Sequence, residues 1–463
     1  MADAFRTQTG VPRGEYDFAH QPETDQSFEN ALAKARAGER LTVDDGIELL
    51  TTGTESEGID RERMEAVVEA ADDRRREVVG EEVTIVANLN NNVTSACGTG
   101  CLFCNYRDNA HTFEIGTEEK PRGFTKTPEE SRSIVADAVD RGIYEVTSVS
   151  GLHPTLTLDD EHREILEATD HVEYKPPDQY EKNPGSYAEQ LEAMSIDGVH
   201  IHSMTPEEAH HAARGTDWDF QTVYEKLQAA GLDSVPGTAA EILVDEVRDV
   251  ICPGKIDTGT WIEAMEGAAK AGLPMTATIM YGHVENEAHR VMHMERVRDL
   301  QDRTGSITEF VPLSFIHENT TLSDRGMVDG GATPEEDTLM IAVSRLFLDN
   351  IDHIQSSWVK FGNERGLELL NAGADDFMGT ILSEEITKRA GGGHGEFRSF
   401  AELVDLIESI DRVPVERSTD YDIRRRIDSA NGRPGPALGP HADFTPLLRG
   451  ERRKETDSTA LSD

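Results

Sequence analysis

Four cysteines stand in a chain of 463 residues, and three of them, Cys97, Cys101 and Cys104, fall close together as Cys-x3-Cys-x2-Cys. Thiols at this spacing, with Gly98 and Gly100 between them, can wrap three corners of one compact soft-metal centre. Glycine allows such a loop the backbone angles that a side chain forbids. The cysteine count is no disulfide framework for a chain of this length. Structural zinc takes four ligands, and none stands nearby at finger spacing, His111 being the nearest histidine. Iron–sulfur cubanes usually take four cysteines. Three would leave one iron open to a substrate or cofactor. Cys252, within Ile251-Cys252-Pro253, reads as a small core residue rather than a fourth ligand.

Other polar residues interrupt apolar runs. In Val199-His200-Ile201-His202-Ser203 strand alternation puts both histidines on one face, where core packing and substrate contact are equally open. Glu241, within Ala239-Ala240-Glu241-Ile242-Leu243, would be costly to bury unpaired, so it either meets a ligand or lies at a strand end, and a ligand contact is expected. Gln355 and Ser357, in an apolar run from His353, are substrate-contact candidates or hydrogen-bonded core residues. The run from Tyr144 ends in Ser148-Val149-Ser150-Gly151-Leu152-His153-Pro154.

These residues need a scaffold. From Val83 short apolar runs alternate with helical patterns, and strands are predicted at 83–87, 144–149, 199–204, 239–243, 275–281, 310–315, 353–361 and, weakly, 376–381. Three helices are announced by the same four residues, Thr-Pro-Glu-Glu at Thr127, Thr205 and Thr333: a capping threonine, proline at the first helical position and a glutamate reaching back. The alternation implies an α/β fold, a parallel (βα) barrel, complete or partial and TIM-like, with its site at the C-terminal ends of the strands. Ahead of it, 28–82 reads as an N-terminal helical cap and 1–27 as a flexible leader. The barrel with a C-terminal extension is expected over 83–423, and 424–463, rich in Gly, Pro and charge, as a disordered tail.

The formal charge is −44, from 45 basic and 89 acidic residues, and only 11 of the basic residues are lysine. Phosphate backbones need Lys and Arg, so no nucleic-acid partner is expected. Acid dispersed along the chain suits a salt-loaded cytoplasm that screens self-repulsion; an ordinary acidic enzyme is the alternative. No run is long and apolar enough for a bilayer, and the N-terminus has no signal-peptide pattern, so no membrane partner and a cytoplasmic location are expected.

The cysteine spacing, with aromatic Phe103 before the third cysteine on the loop after the first strand, resembles the radical S-adenosylmethionine (SAM) superfamily. The resemblance implies a 4Fe-4S cluster on Cys97, Cys101 and Cys104. It further implies SAM chelated at the open iron, cleavage to a 5′-deoxyadenosyl radical, Phe103 near the adenine, and Ser150 and Gly151 near the SAM amino group. The turn departs from the common Gly-Gly-Glu and with Gly151-Leu152-His153-Pro154 is similar to the branch that makes deazaflavin and futalosine-type menaquinone precursors. That branch points to substrate roles for His153 and His202.

Further matches follow in order: Pro236–Leu243, then Val247-Arg248, Ile251-Cys252-Pro253, Lys255 and Trp261; then 276–285, 353–362 and 373–380. They are similar to the deazaflavin synthase family that joins tyrosine to a diaminouracil, with Glu241 among the cofactor contacts and Gln355 and Ser357 among the substrate contacts. The implied reaction moves the 4-hydroxybenzyl group of L-tyrosine to C5 of 5-amino-6-(D-ribitylamino)uracil and releases 2-iminoacetate. A second radical SAM subunit and a reductant such as ferredoxin are the implied partners. The alternatives are a futalosine-type menaquinone enzyme and, outside the class, an iron–sulfur electron carrier or a zinc-stabilised binding protein. One departure is the polar, aromatic insertion around 173–184 between His153 and His200, which is either a surface loop or a change at the substrate mouth.

Overall fold

Each Thr-Pro-Glu-Glu segment starts a helix as its residue order dictates. Thr127, Thr205 and Thr333 cap Pro128–Val139, Pro206–Ala213 and Pro334–Phe347, and in each the third-position glutamate returns a bond to the cap, closing a capping box. A computed structural model describes residues 16, 18–52, 60–108, 123–168, 182–382, 386–389, 392–395 and 397–427. His111, most of the 173–184 insertion, the first fifteen residues and the tail from 428 lie outside the described residues.

The strands close into a ring. β1 (Glu82–Val86) and β2 (Asn88–Asn90) form one stave broken at Ala87. Around it follow β3 (Glu145–Ser148), β4 (His200–Ser203), a bridge-length stave at Ser234 and Val235, β5 (Met275–Tyr281) and β6 (Ile307–Ser314). β7 (His353–Ile354) and β8 (Asp376–Gly379) complete it, and β8 pairs back onto β1. Every pairing between neighbouring staves is parallel, and the helices between them cover the outside. The barrel is therefore complete, with eight staves.

Two expected strands are corrected. Residues 239–243 form no strand: Ala239 and Glu241 have φ of 72° and 47°, and the segment coils around the buried Arg248 guanidinium, which donates to the carbonyls of Ala239, Ala240 and Ile242. A strand could not point those carbonyls at one cation. The stave sits instead at Ser234–Val235. The strand from His353 ends at Ile354, and Trp358–Leu370 is a helix, so Val359 and Phe361 pack as helical residues.

Two strands were not anticipated. β9 (Val413–Arg417) lies parallel to β1, and β10 (Ile423–Arg426) folds back antiparallel on β9. Ordered structure thus runs past 424, where the tail was expected to start. β9 pairs with β1 over Glu82–Ile85, whereas β3 pairs with β2 over Asn88–Asn90. The turn between β9 and β10 is thereby carried to the end of the barrel where the strands begin. At the N-terminus, helices Phe28–Arg36, Val43–Thr51 and Arg61–Val79 form the cap, packed on Glu287–Thr304 and Pro334–Phe347.

Candidate active site

The cysteine loop leaves the C-terminal end of β2 and is fastened along its length. Cys97 N donates to Asp108 O (3.2 Å), Leu102 N to Ile251 O (2.8 Å), and Leu102 O accepts from Leu322 N (3.1 Å). The turn after β3 lies against it, with Gly151 N bonded to Thr94 O at 2.9 Å. A Cβ on Gly151 would stand 2.4 Å from Ala96 O, and one on Gly254 2.2 Å from Thr99 O, so glycine alone fits at both contacts. Ser150 joins the same seam: its Oγ accepts from Val93 N (2.6 Å) and its N donates to Glu208 (3.3 Å).

Of the three expected ligands on this loop, Cys101 and Cys104 sense each other's charge, as do Cys104 and Cys97. Burial pushes the Cys101 thiol well above its usual range; Lys255 pulls it down while Cys104 and Cys252 push it further up. Burial also raises Cys104, with a backbone bond from Arg107 opposing and Cys97 adding to the rise. Buried thiols that repel one another as thiolates are poorly matched to water and well matched to a soft cationic centre, which inverts that preference. The donor set fits a 4Fe-4S cluster held by Cys97, Cys101 and Cys104. Cys252 is in the hydrophobic core, its thiol pushed up to about 11 by burial.

Glu241, expected to meet a ligand, pairs with Lys255 at 2.5 Å, the two side chains 15% and 9% exposed. Burial works against the Lys255 ammonium, but Glu241 and Cys101 outweigh it and its pKa is raised. Lys255 also stands over the Phe103 ring, 5.7 Å from its centroid. One buried cation therefore links Glu241, Phe103 and the cysteine loop. Among 11 lysines, a lysine inside a Cys-Pro-Gly-Lys turn was the available signal for it.

The lumen below is polar. His200 Nε2 and His202 Nδ1 both bond Ser234 Oγ at 2.7 Å, so strand alternation did put both rings on one face. Burial lowers His202 to about 4 against the pull of Glu145, leaving a neutral ring at neutral pH. Gln355 donates to Glu309 at 3.3 Å. Burial raises Glu309 to about 7, with Arg417 opposing and Asp376 and Glu145 adding. β3 and β6 stand on opposite sides of the ring, so carboxylates that sense each other from these staves point inward. Arg417 Nε bonds Asp376 at 2.6 Å, Thr419 bonds Glu145 at 2.6 Å and Tyr421 OH bonds Glu309. The β9–β10 turn thus spans the floor of the barrel.

The remaining candidates are held by the chain itself. His153 is buried, lowered to about 4, and its Nδ1 accepts from Thr155 N (3.2 Å) and lies 2.8 Å from Thr155 Oγ1. Ser357 Oγ donates to Met378 Sδ at 3.1 Å. Glu309, Arg417 and Tyr421 escaped the sequence reading, because their partners lie up to 112 positions apart.

Comparison with known proteins agrees with this geometry. Residues 91–297 match the model of the radical SAM superfamily, and residues 304–430 that of the CofH/MqnC C-terminal region. The chain is 68% identical over 450 residues, 97% of its length and 100% of the relative's, to a 5-amino-6-(D-ribitylamino)uracil–L-tyrosine 4-hydroxyphenyl transferase of Haloarcula marismortui. It is 66% identical to the Halobacterium salinarum protein of that name, over 93% of this chain and 96% of the other. Among solved structures, methylornithine synthase (PylB) aligns with a TM-score of 0.57 at 18% identity, over 83% of this chain and 97% of that one, a likeness of fold.

Proposed function

The chain belongs to the radical SAM superfamily and, within it, to the family of 5-amino-6-(D-ribitylamino)uracil–L-tyrosine 4-hydroxyphenyl transferases, and from that membership we propose how its residues serve the reaction. The enzyme transfers the 4-hydroxybenzyl group of L-tyrosine to C5 of 5-amino-6-(D-ribitylamino)uracil and releases 2-iminoacetate. The observation that supports this reading is that the loop carrying Cys97, Cys101 and Cys104 leaves the C-terminal end of β2 at the mouth of a closed barrel whose lumen is polar.

Cys97, Cys101 and Cys104 hold the 4Fe-4S cluster. When bound, cluster and SAM supply the 5′-deoxyadenosyl radical. Lys255 offsets the negative charge of the thiolates, and Glu241 fixes Lys255 in place. Phe103, Ser150 and Gly151 line the cofactor side, with Gly151 keeping the turn in contact with the cysteine loop. His202 and Gln355 face the substrates, while His153, its Nδ1 held by Thr155, and Ser357, bonded to Met378, stand in the walls around them. The lumen holds both substrates near each other, because joining a short-lived benzyl fragment to a second molecule demands close approach. The closed barrel keeps water from that encounter.

A second radical SAM subunit acts on the product, a ferredoxin-type protein supplies the electron, and the enzyme works in the cytoplasm. Among the described residues no helix is long and apolar enough to cross a membrane.

Label transfer tests the reading. With tyrosine carrying carbon-13 in its ring, the uracil adduct should carry the label. With carbon-13 at Cα, the label should leave as iminoacetate and appear as glyoxylate after hydrolysis. Turnover of a futalosine-type nucleoside in place of these substrates would assign the chain to the menaquinone branch instead.

A further inference from the structure

We propose that Glu309 and Gln355 at the floor of the lumen, with His202 above them towards the strand ends, hold the ribityl chain of the uracil substrate, an assignment that rests on the reaction just described. Three observations lead there. The first is open bonding capacity. Glu309 Oε2 takes Tyr421, Gln355 and Arg417, whereas Glu309 Oε1, Gln355 Oε1 and His202 Nε2 bond no described residue. These residues are more than nine-tenths buried, at 7%, 5% and 8% exposed, and none of the three atoms is sealed off completely. Polar atoms so placed call for a hydrogen-bonding partner.

The second is position. Glu309 is the third residue of β6, at the strand-start end opposite the cysteine loop, and Gln355, just past the two-residue β7, is bonded to it there. The part of tyrosine that loses hydrogen has to lie at the cluster end. What reaches the floor is therefore a part of the substrates remote from the reacting carbons, and on the uracil that part is the ribityl chain.

The third is chemistry. The floor is rich in acceptors, with Glu145, Glu309 and Asp376 sharing the single guanidinium of Arg417. A tyrosine carboxylate would be repelled here. The ribityl chain is uncharged, carries a hydroxyl on each carbon beyond the one bonded to nitrogen, and can satisfy carboxylate, amide and imidazole atoms without burying a new charge. Tyr421 and Arg417, by occupying Oε2, act as positioning residues that turn Oε1 toward the chain.

Calorimetry on the cluster-loaded protein with SAM tests this, using wild type, Glu309→Gln and Gln355→Ala. The ligands are 5-amino-6-(D-ribitylamino)uracil, 5-amino-6-(methylamino)uracil, which lacks the chain, and L-tyrosine. Either variant should weaken the ribityl compound about tenfold or more, with the methylamino compound and tyrosine each shifted less than about twofold. Equal weakening of the methylamino compound, weakening of tyrosine, or no change in the ribityl compound would overturn the assignment. If Glu309→Gln does not fold, Gln355→Ala carries the same comparison. Wild type that forms no hydroxybenzyl adduct would defeat the reaction itself; wild type that forms it while calorimetry stays flat would defeat the subsite alone.

Discussion

Cys97, Cys101 and Cys104 declare themselves by spacing, but their environment does not. Replacing any one with Ala should abolish bound iron and SAM cleavage; the unfolding midpoint of the apo-protein should stay close to wild type for Cys97 and Cys104, which are only partly buried, and fall as for any truncated core residue for Cys101. Cys252→Ala should retain iron and cleavage and lose about 1–2 kcal/mol of stability, as expected for truncating a buried side chain. Iron analysis and denaturant titration on the four variants separate the two roles; an iron-free Cys252→Ala would make it a ligand. His202 gives a second residue-level test. Its folded pKa of about 4 lies below the unfolded 6.5, so the unfolded state binds more protons between those values. Its contribution to stability is full above pH 6.5 and is lost as pH falls toward 4. The NMR titration of its ring should show a midpoint near 4, and a midpoint near 6.5 would mean a solvated ring. Glu241 marks what the sequence withheld at this scale. A carboxylate in an apolar run announces a partner, but naming Lys255, 14 positions on, needs the turn that joins them.

At the scale of elements, the helices were legible where caps were explicit, and β5 was read to the residue because its seven apolar or small residues run unbroken. Residues 239–243 misled because their composition suits a buried strand while Arg248, outside the run, dictates a coil. The β9–β10 hairpin was missed for the opposite reason. Ile423-Arg424-Arg425-Arg426 looks like a charged tail, and only pairing with β9 and ion pairs to Glu416 and Glu82 make it a strand. The seam between the cysteine loop and the 251–255 turn makes a prediction that belongs here. Gly254→Ala drives a methyl group onto Thr99 O, a backbone atom that cannot swing away. The variant should keep the wild-type circular dichroism of the barrel yet bind at most about half the iron on reconstitution. Wild-type iron content would show that the seam does not shape the loop.

For the whole molecule, the charge of −44 is a statement about solvent. Most basic residues are arginine, and several are spent on buried or multiple pairs such as Arg290 with Glu285 and Glu336, which leaves the surface acid unbalanced. Salt screens that repulsion. The melting midpoint should rise by about 10 °C or more between roughly 0.2 M and 2 M potassium chloride, given that about 1 kcal/mol moves a protein of this size only a few degrees. A flat response would remove the case for salt adaptation. The barrel was legible at this scale from alternation alone, and its floor was not, since that floor is assembled by residues from β3, β6, β8 and a turn near residue 420.

The central claim is that one lumen joins two substrates under a cluster held by three cysteines. Its most direct test is anaerobic reconstitution in high salt, reduction, and addition of SAM and tyrosine with and without 5-amino-6-(D-ribitylamino)uracil, beside Cys101→Ala. Mass spectrometry should find 5′-deoxyadenosine and a hydroxybenzyl–diaminouracil adduct with wild type, the adduct only when both substrates are present, and neither product with the variant. Deoxyadenosine without the adduct, or no deoxyadenosine from a protein with its cluster intact, would contradict the account.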